Sequence, residues 1–135
     1  MDINYKQMAD RAVAHAKAKN DVDLDFSRES LKKVDDILGY YNEHIEDYSG
    51  EEGEEILWNL AVYFGVYIGE TLLRLQLKDN GYDWLVVDSL PVLQKDEKNS
   101  MSPIAKAHKR ILYGAQDSVK SFCDIAFLIG KGELI

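Results

Sequence analysis

The sequence predicts a single α+β domain over residues 1–135 that is predominantly helical, with a long central helix at about 54–78 and one small antiparallel hairpin at about 83–95. Three observations support this class. A chain of 135 residues is the length of one ordinary domain. Apolar residues recur at steps of three and four through most of it, as in amphipathic helices. Strand character is concentrated after Asn80-Gly81, a typical turn pair.

Residues 4–19 predict the first helix. Its apolar stripe is thin and rich in alanine, which favours a helix but offers little surface to bury. We therefore expect residues 1–19 to form a loosely packed helical arm.

A second helix is predicted to begin after Ser27, a good N-cap, with Glu29 near the positive end of the helix dipole. Its apolar residues follow helical spacing: Leu31, Val34, Ile37, Leu38, Tyr41 and Ile45. The third helix, at about 54–78, has 25 residues and a length of about 37 Å. A globule of this size has a radius of gyration of about 14 Å, so we expect this helix to cross the whole molecule.

Two runs after the Asn80-Gly81 turn predict the hairpin. The first contains Trp84, and the second contains Pro91, which cannot donate a backbone hydrogen bond and so favours an edge strand. Ser102-Pro103 then predicts the N-cap and first turn of a last helical segment, which Gly114 interrupts and Gly130 closes.

The central helix is predicted to have two faces. The apolar face comprises Leu57, Phe64, Ile68, Leu72 and Leu75. The opposite face carries a stripe of polar or amphipathic residues at steps of four and three, which we call the central stripe: Asn59, Tyr63, Tyr67, Glu70 and Arg74. Glu70 and Arg74 are spaced for an i,i+4 ion pair. The stripe is either such structural pairing or the lining of a polar pocket.

Gly65 and Gly69 lie one turn apart in this helix, where each costs up to about 1 kcal/mol relative to alanine. We interpret them as sites of close packing by another element. The helix is not expected to span a membrane, because its uninterrupted apolar run, residues 60–69, is about half the length that a span needs.

The net charge of −8 is concentrated in one region. Residues 21–55 contain 13 of the 24 acidic residues and only three of the 16 basic ones. Such a region repels phosphate backbones, so nucleic-acid binding is not expected there. It is either a solvated surface or a docking surface for a basic protein, and the candidate docking residues are Glu51, Glu52, Glu54 and Glu55.

Few residue patterns suggest catalysis or metal binding. The single cysteine, Cys123, lies in a helical apolar context typical of a core residue. The three histidines are far apart and have no metal-binding spacing. We find no phosphate-binding loop and no nucleophile motif, and we expect no catalytic residue, no cofactor and no metal. A cytoplasmic location is expected, since the N-terminal residues do not form a signal peptide.

The heptapeptide "FGVYIGE", residues 64–70, resembles a Phe/Leu-Gly-x-Tyr-x-Gly-Glu pattern found in small bacterial domains of unknown function. A tryptophan after a glycine turn and the later "PIAKAHKRILYGAQDSV" are similar in order, so the resemblance covers residues 58–120. It implies a bacterial cytoplasmic domain of mixed helix and short strand. It implies no activity and therefore gives Glu70 no role.

Two hypotheses for function follow. The preferred one is a non-enzymatic interaction or regulatory protein, of an immunity or antitoxin-like kind, that binds a basic partner through its acidic region. The alternative is a small ligand-binding or hydrolytic domain with its pocket on the central stripe. The apolar surface of the last helix leaves a homodimer open.

Overall fold

The computed structural model describes residues 3–130, which form five α-helices and one three-stranded antiparallel sheet. The predicted α+β, predominantly helical class is confirmed, as are the long central helix and the hairpin. The helices are α1 (Tyr5–Asn20), α2 (Arg28–Glu43), α3 (Gly50–Leu72), α4 (Pro103–Tyr113) and α5 (Val119–Gly130). The strands are β1 (Asp83–Val87), β2 (Leu90–Asp96) and β3 (Asn99–Met101).

Helix α3 occupies the centre, with α1 and α4 packed against it. It begins at Gly50, earlier than predicted, and continues into a π-helical turn, Leu73–Leu77. The wider π turn rotates the following residues relative to the α-helical pattern. Leu77 is therefore buried, and Leu75, predicted to lie on the apolar face, is exposed instead.

Helix α1 contacts α3 through its alanines. Ala9, Ala12 and Ala16 are all fully buried, because their short side chains let two helix backbones approach closely. This differs from the loosely packed arm expected for residues 1–19. The small residues that reduce the area available for burial are the ones that give α1 its tight fit.

The predicted helix caps are present. Ser27 Oγ accepts a hydrogen bond from the Ser30 N–H (3.2 Å), and Ser102 Oγ accepts one from the Ala105 N–H (3.2 Å). Gly114 has φ 90° and ends α4, and a short 3₁₀ turn, Ala115–Asp117, separates it from α5. The last helical segment is thus two helices.

The sheet has the order β1-β2-β3, so β2 is the middle strand. Pro91 had favoured an edge position for that strand. Strand β3, which was not predicted, pairs only with residues 93–96 of β2. At Pro91 the strand therefore has β1 as its one neighbour, and the missing N–H of the proline removes no ladder hydrogen bond on the other side.

Candidate functional site

The five residues of the central stripe differ widely in exposure. Tyr67 is fully buried, Tyr63 and Glu70 are half-buried, and Asn59 and Arg74 are exposed. They lie along one side of α3 but do not surround a common space. Three cavities among the described residues, of about 480, 520 and 220 Å³, are lined by other side chains.

The Tyr67 hydroxyl connects α3 to the start of α2. It accepts a hydrogen bond from the Phe26 N–H (2.9 Å) and shares another with Ser30 Oγ (2.7 Å). Phe26 has a positive φ of 61°, and its ring packs 4.7 Å from that of Tyr67. Burial raises the pKa of Tyr67, which keeps the phenol neutral and able to donate. This residue anchors a strained loop.

Glu70 is held by two partners. Its Oε2 accepts a hydrogen bond from Trp84 Nε1 (3.0 Å), and its Oε1 lies 3.6 Å from a guanidinium nitrogen of Arg74. The same guanidinium stacks over the ring of Phe26, 3.8 Å from its centroid. The predicted Glu70–Arg74 pair is present, and the carboxylate also attaches the sheet to α3.

Trp84 lies flat between two elements. Its ring stacks on that of Tyr5 at 4.5 Å with an interplanar angle of 5°, and its other side covers Gly69. A Cβ at position 69 would occupy the space of the indole, and a Cβ at Gly65 would lie 2.5 Å from Ile104 Cα of α4. Both glycines are therefore sites of close packing, as interpreted from the sequence.

A second carboxylate, Asp35 of α2, has a denser set of partners. It is buried and accepts hydrogen bonds from Arg110 Nε (2.7 Å), Ser118 Oγ (2.9 Å) and the N–H groups of Val119 (3.1 Å) and Lys120 (3.3 Å). Burial acts to raise the pKa of Asp35, but these four donors outweigh it and hold the pKa below its usual value. Asp35 thus joins α2, α4 and the first turn of α5.

Sequence reasoning did not identify Asp35. The signal was present, because Asp35 follows Leu31 by four residues and precedes Leu38 by three, which places it inside the apolar stripe of α2. A further sign is Gly39, where a Cβ would lie 2.6 Å from the guanidinium of Arg110. An acid within a core stripe, one turn from a glycine, indicates a buried carboxylate with an arginine partner.

The acidic region spans the end of α2, the turn Ile45–Tyr48 and the start of α3. We call it the acidic surface and define it by seven exposed side chains: Glu43, Glu46, Asp47, Glu51, Glu52, Glu54 and Glu55. Within residues 3–130 none of these carboxylates forms an ion pair, although nine ion pairs exist elsewhere in that part of the chain. No cation of the described residues therefore lies within ion-pair distance to offset the repulsion among them.

Two large apolar side chains adjoin the acidic surface. Ile56 and Trp58 are 43% and 39% exposed, and Glu54 and Glu55 precede Trp58 by four and three residues on the helix. The Trp58 ring meets His108 edge-on at 5.0 Å. Burial lowers the pKa of His108, so the imidazole that supports the indole is neutral near pH 7.

Among residues 3–130 no group of three or more His, Cys, Asp or Glu side chains is arranged to hold a metal ion. The helix Gly50–Leu77 is long and apolar enough to cross a membrane by length and composition, and 67% of its apolar window is buried within the structure. The core helix of a soluble protein meets the same criterion.

Comparison of the chain with protein-family models, curated proteins and solved structures finds no match. The assignment of a function therefore depends on the contacts, charges and exposed groups described above.

Proposed function

We propose that this protein is a non-enzymatic binding module, of an immunity, antitoxin-like or other regulatory kind, that holds a basic protein partner on the acidic surface. It acts in the cytoplasm of a bacterium, in keeping with the resemblance of its central motif. The observation that carries the proposal is the set of seven exposed carboxylates without an ion pair inside residues 3–130, next to an exposed tryptophan.

Charge complementarity supports a basic partner. Seven uncompensated carboxylates attract lysine- and arginine-rich segments and speed their association, while like charge disfavours nucleic acids and anionic membranes. All seven side chains are exposed to solvent, four of them on α3, so a partner reaches them without unfolding the protein.

Trp58 and Ile56 supply the apolar part of the interface. Tryptophan is enriched among residues that contribute most to binding, and such anchors work best when polar groups surround them. The edge-on contact with His108 orients the indole before binding, which lowers the entropy lost on association.

The alternative, a pocket on the central stripe, has less support. The carboxylate of Glu70 is already engaged by Trp84 and Arg74, and the phenol of Tyr67 by Phe26 and Ser30. A substrate would have to displace contacts that hold α1, α2 and the sheet on α3.

The test is a comparison of matched variants. Glu51, Glu52, Glu54 and Glu55 are replaced together by glutamine, which removes charge and keeps helix propensity. The control neutralises four exposed acids elsewhere: Asp10→Asn, Glu29→Gln, Asp79→Asn and Glu97→Gln. Each immobilised protein is exposed to a cell extract, and the retained proteins are quantified by mass spectrometry and then purified for titration.

We expect a basic protein that is retained by the wild type and the control, and lost from the quadruple glutamine variant and from Trp58→Ala. Its dissociation constant should rise at least about tenfold in either variant, equivalent to about 1.4 kcal/mol. A partner that is still retained by the quadruple glutamine variant, but is lost from a folded Glu70→Gln variant, would instead support the pocket on the central stripe.

A further inference from the structure

The β1 strand exposes three consecutive apolar residues at the edge of the sheet. Leu85, Val86 and Val87 are 48%, 49% and 41% exposed, and no other strand among residues 3–130 pairs with the outer side of β1. Proteins usually protect such edges with lysine, proline or an inward-pointing charge. These three positions carry none of those protections.

The backbone of Val86 faces the open side. Val86 is opposite Pro91 in the register of β1 and β2. Proline has no N–H, so this pair cannot exchange the two bonds of a hydrogen-bonded antiparallel pair. By the alternation of such ladders, the N–H and C=O of Val86 point away from β2. They form an unused donor and acceptor at the edge.

Leu85 and Val87 add an apolar face beside that edge. They are opposite Val92 and Leu90, which are only half-buried, whereas Pro91 and Leu93 point to the other face and are buried against the body. Near the turn, the solvent side of the hairpin is therefore apolar on both strands, where an ordinary half-buried sheet carries polar residues.

We propose that β1 pairs with β1 of a second copy of this chain about a two-fold axis at Val86, forming one continuous six-stranded sheet. Two identical edges related by such an axis run antiparallel. Each Val86 then donates its N–H to the Val86 carbonyl of the other copy, and each Leu85 lies opposite Val87 of the other copy. The interface is self-complementary, as a two-fold interface requires.

The charge distribution favours a second copy at this position. Residues 56–135 contain nine acids and nine bases, so the half of the chain that includes β1 is neutral overall. Trp84 of β1 covers Gly69, which is about 21 Å along α3 from Glu55. That distance exceeds twice the Debye length of about 8 Å at physiological ionic strength. In this register Asp83, already paired with Lys78, reaches only the β1–β2 turn of the other copy, and Asp88 of that turn lies opposite Trp84 rather than another acid.

Sedimentation velocity over a concentration series to about 0.5 mM tests the pairing, since small specific interfaces associate in or below that range. We expect the mass to rise reversibly from 15.4 kDa toward twice that value. Val86→Pro removes the outward N–H without removing a β1–β2 bond, and Leu85→Lys/Val87→Lys places like charges opposite each other. Both should raise the dissociation constant at least tenfold with an unchanged circular dichroism spectrum.

The matched control is Ile125→Lys/Leu128→Lys, which introduces the same charges at exposed apolar positions of α5. It should dimerise like the wild type, as should the quadruple glutamine variant of the acidic surface, because neither touches β1. A wild type that stays monomeric across the series would overturn the proposal. So would a dimer that is lost in the α5 control and kept in both β1 variants.

A cysteine at the axis gives an independent measurement. Residues opposite each other in a hydrogen-bonded antiparallel pair have Cα atoms about 5.5 Å apart, within the range that a disulfide spans. Val86→Cys should therefore cross-link under mild oxidation much faster than Ile125→Cys, while the native Cys123 is buried. Equal rates for the two variants would contradict pairing at Val86.

Discussion

Asp35 and Glu70 both join segments that are distant in sequence, but their surroundings differ. Asp35 is buried and accepts hydrogen bonds from four donors: Arg110 of α4, Ser118 just before α5, and the first two residues of α5. Glu70 is half-buried, and its two partners are a tryptophan and an arginine at the surface. Asp35 is therefore a carboxylate on which the stability of the core depends, whereas Glu70 positions the sheet on α3.

Replacing Asp35 by alanine tests the first half of the comparison and should have the largest effect. Arg110, whose side chain is only 13% exposed, would be left without its partner, and the loss of one member of a buried pair costs about 3–5 kcal/mol. Urea unfolding followed by circular dichroism measures this. Asp36→Ala is the matched control, because Asp36 is exposed and its pair with Lys32 contributes no more than about 1 kcal/mol. Similar losses in the two variants would contradict the role of Asp35.

Gly69→Ala should have the next largest effect. The new methyl group would overlap the indole of Trp84, and overpacking of this kind costs about 1–3 kcal/mol. In a Trp84→Ala background the indole is absent, so Gly69→Ala causes no overlap. There the better helix propensity of alanine should make the substitution neutral or stabilising by up to about 1 kcal/mol. A double-mutant cycle measured by urea unfolding detects this reversal. Additive effects would mean that Trp84 does not rest on Gly69.

Glu70 variants should have smaller effects than Asp35→Ala. Glu70→Gln keeps an oxygen that accepts from Trp84 and loses only a pair with an exposed arginine, so we expect a loss of at most about 1 kcal/mol. Glu70→Ala leaves the indole N–H without its partner and should cost about 1–3 kcal/mol. Urea unfolding of the two variants measures which of them loses more stability. If Glu70→Gln lowered the free energy of unfolding as much as Asp35→Ala, the proposed difference between the two carboxylates would be contradicted.

The smallest effect is a dependence on pH that belongs to Asp35. Its pKa is below the ordinary 3.8 in the folded protein, so its contribution is complete above pH 3.8 and is lost as the pH falls through the folded value. The free energy of unfolding of the wild type should therefore decline more steeply below about pH 4 than that of Asp35→Asn. Parallel curves for the two proteins would contradict the lowered pKa.

His15 and His108 affect the free energy of unfolding in a separate, higher pH range. Burial is the first cause that lowers the pKa of each, so the folded state resists their protonation and stability falls as the pH drops below 6.5. This decline should be common to the wild type and Asp35→Asn, which separates it from the effect of the aspartate.

The parts of the fold that the sequence predicted are those set by local chemistry. Helical spacing identified the helices, and serines marked the starts of α2 and α4. Strand β3 was missed because Asn99, Ser100 and Met101 have no strand pattern. Their pairing depends instead on a turn in which Asp96 accepts from the N–H groups of Lys98 (2.9 Å) and Asn99 (3.0 Å).

The contacts of the candidate site were predictable only in part. The Glu70–Arg74 pair follows from i,i+4 spacing along one helix. The hydrogen bond from Trp84 to Glu70 joins residues 14 positions apart, and the donors around Asp35 are up to 85 positions away from it. The spacing of residues within one helix cannot predict contacts between segments so far apart in the sequence. Burial of Tyr67 likewise required knowing that Phe26 and Ser30 cover it.

The positions of the two tryptophans give this protein two optical reporters. Trp58 adjoins the acidic surface, and Trp84 stacks on Tyr5 and covers Gly69, about 16 Å farther along the α3 axis. Replacing either indole by phenylalanine leaves the emission of the other. One single-tryptophan protein then follows events at the acidic surface, and the other follows events near β1, without any attached dye.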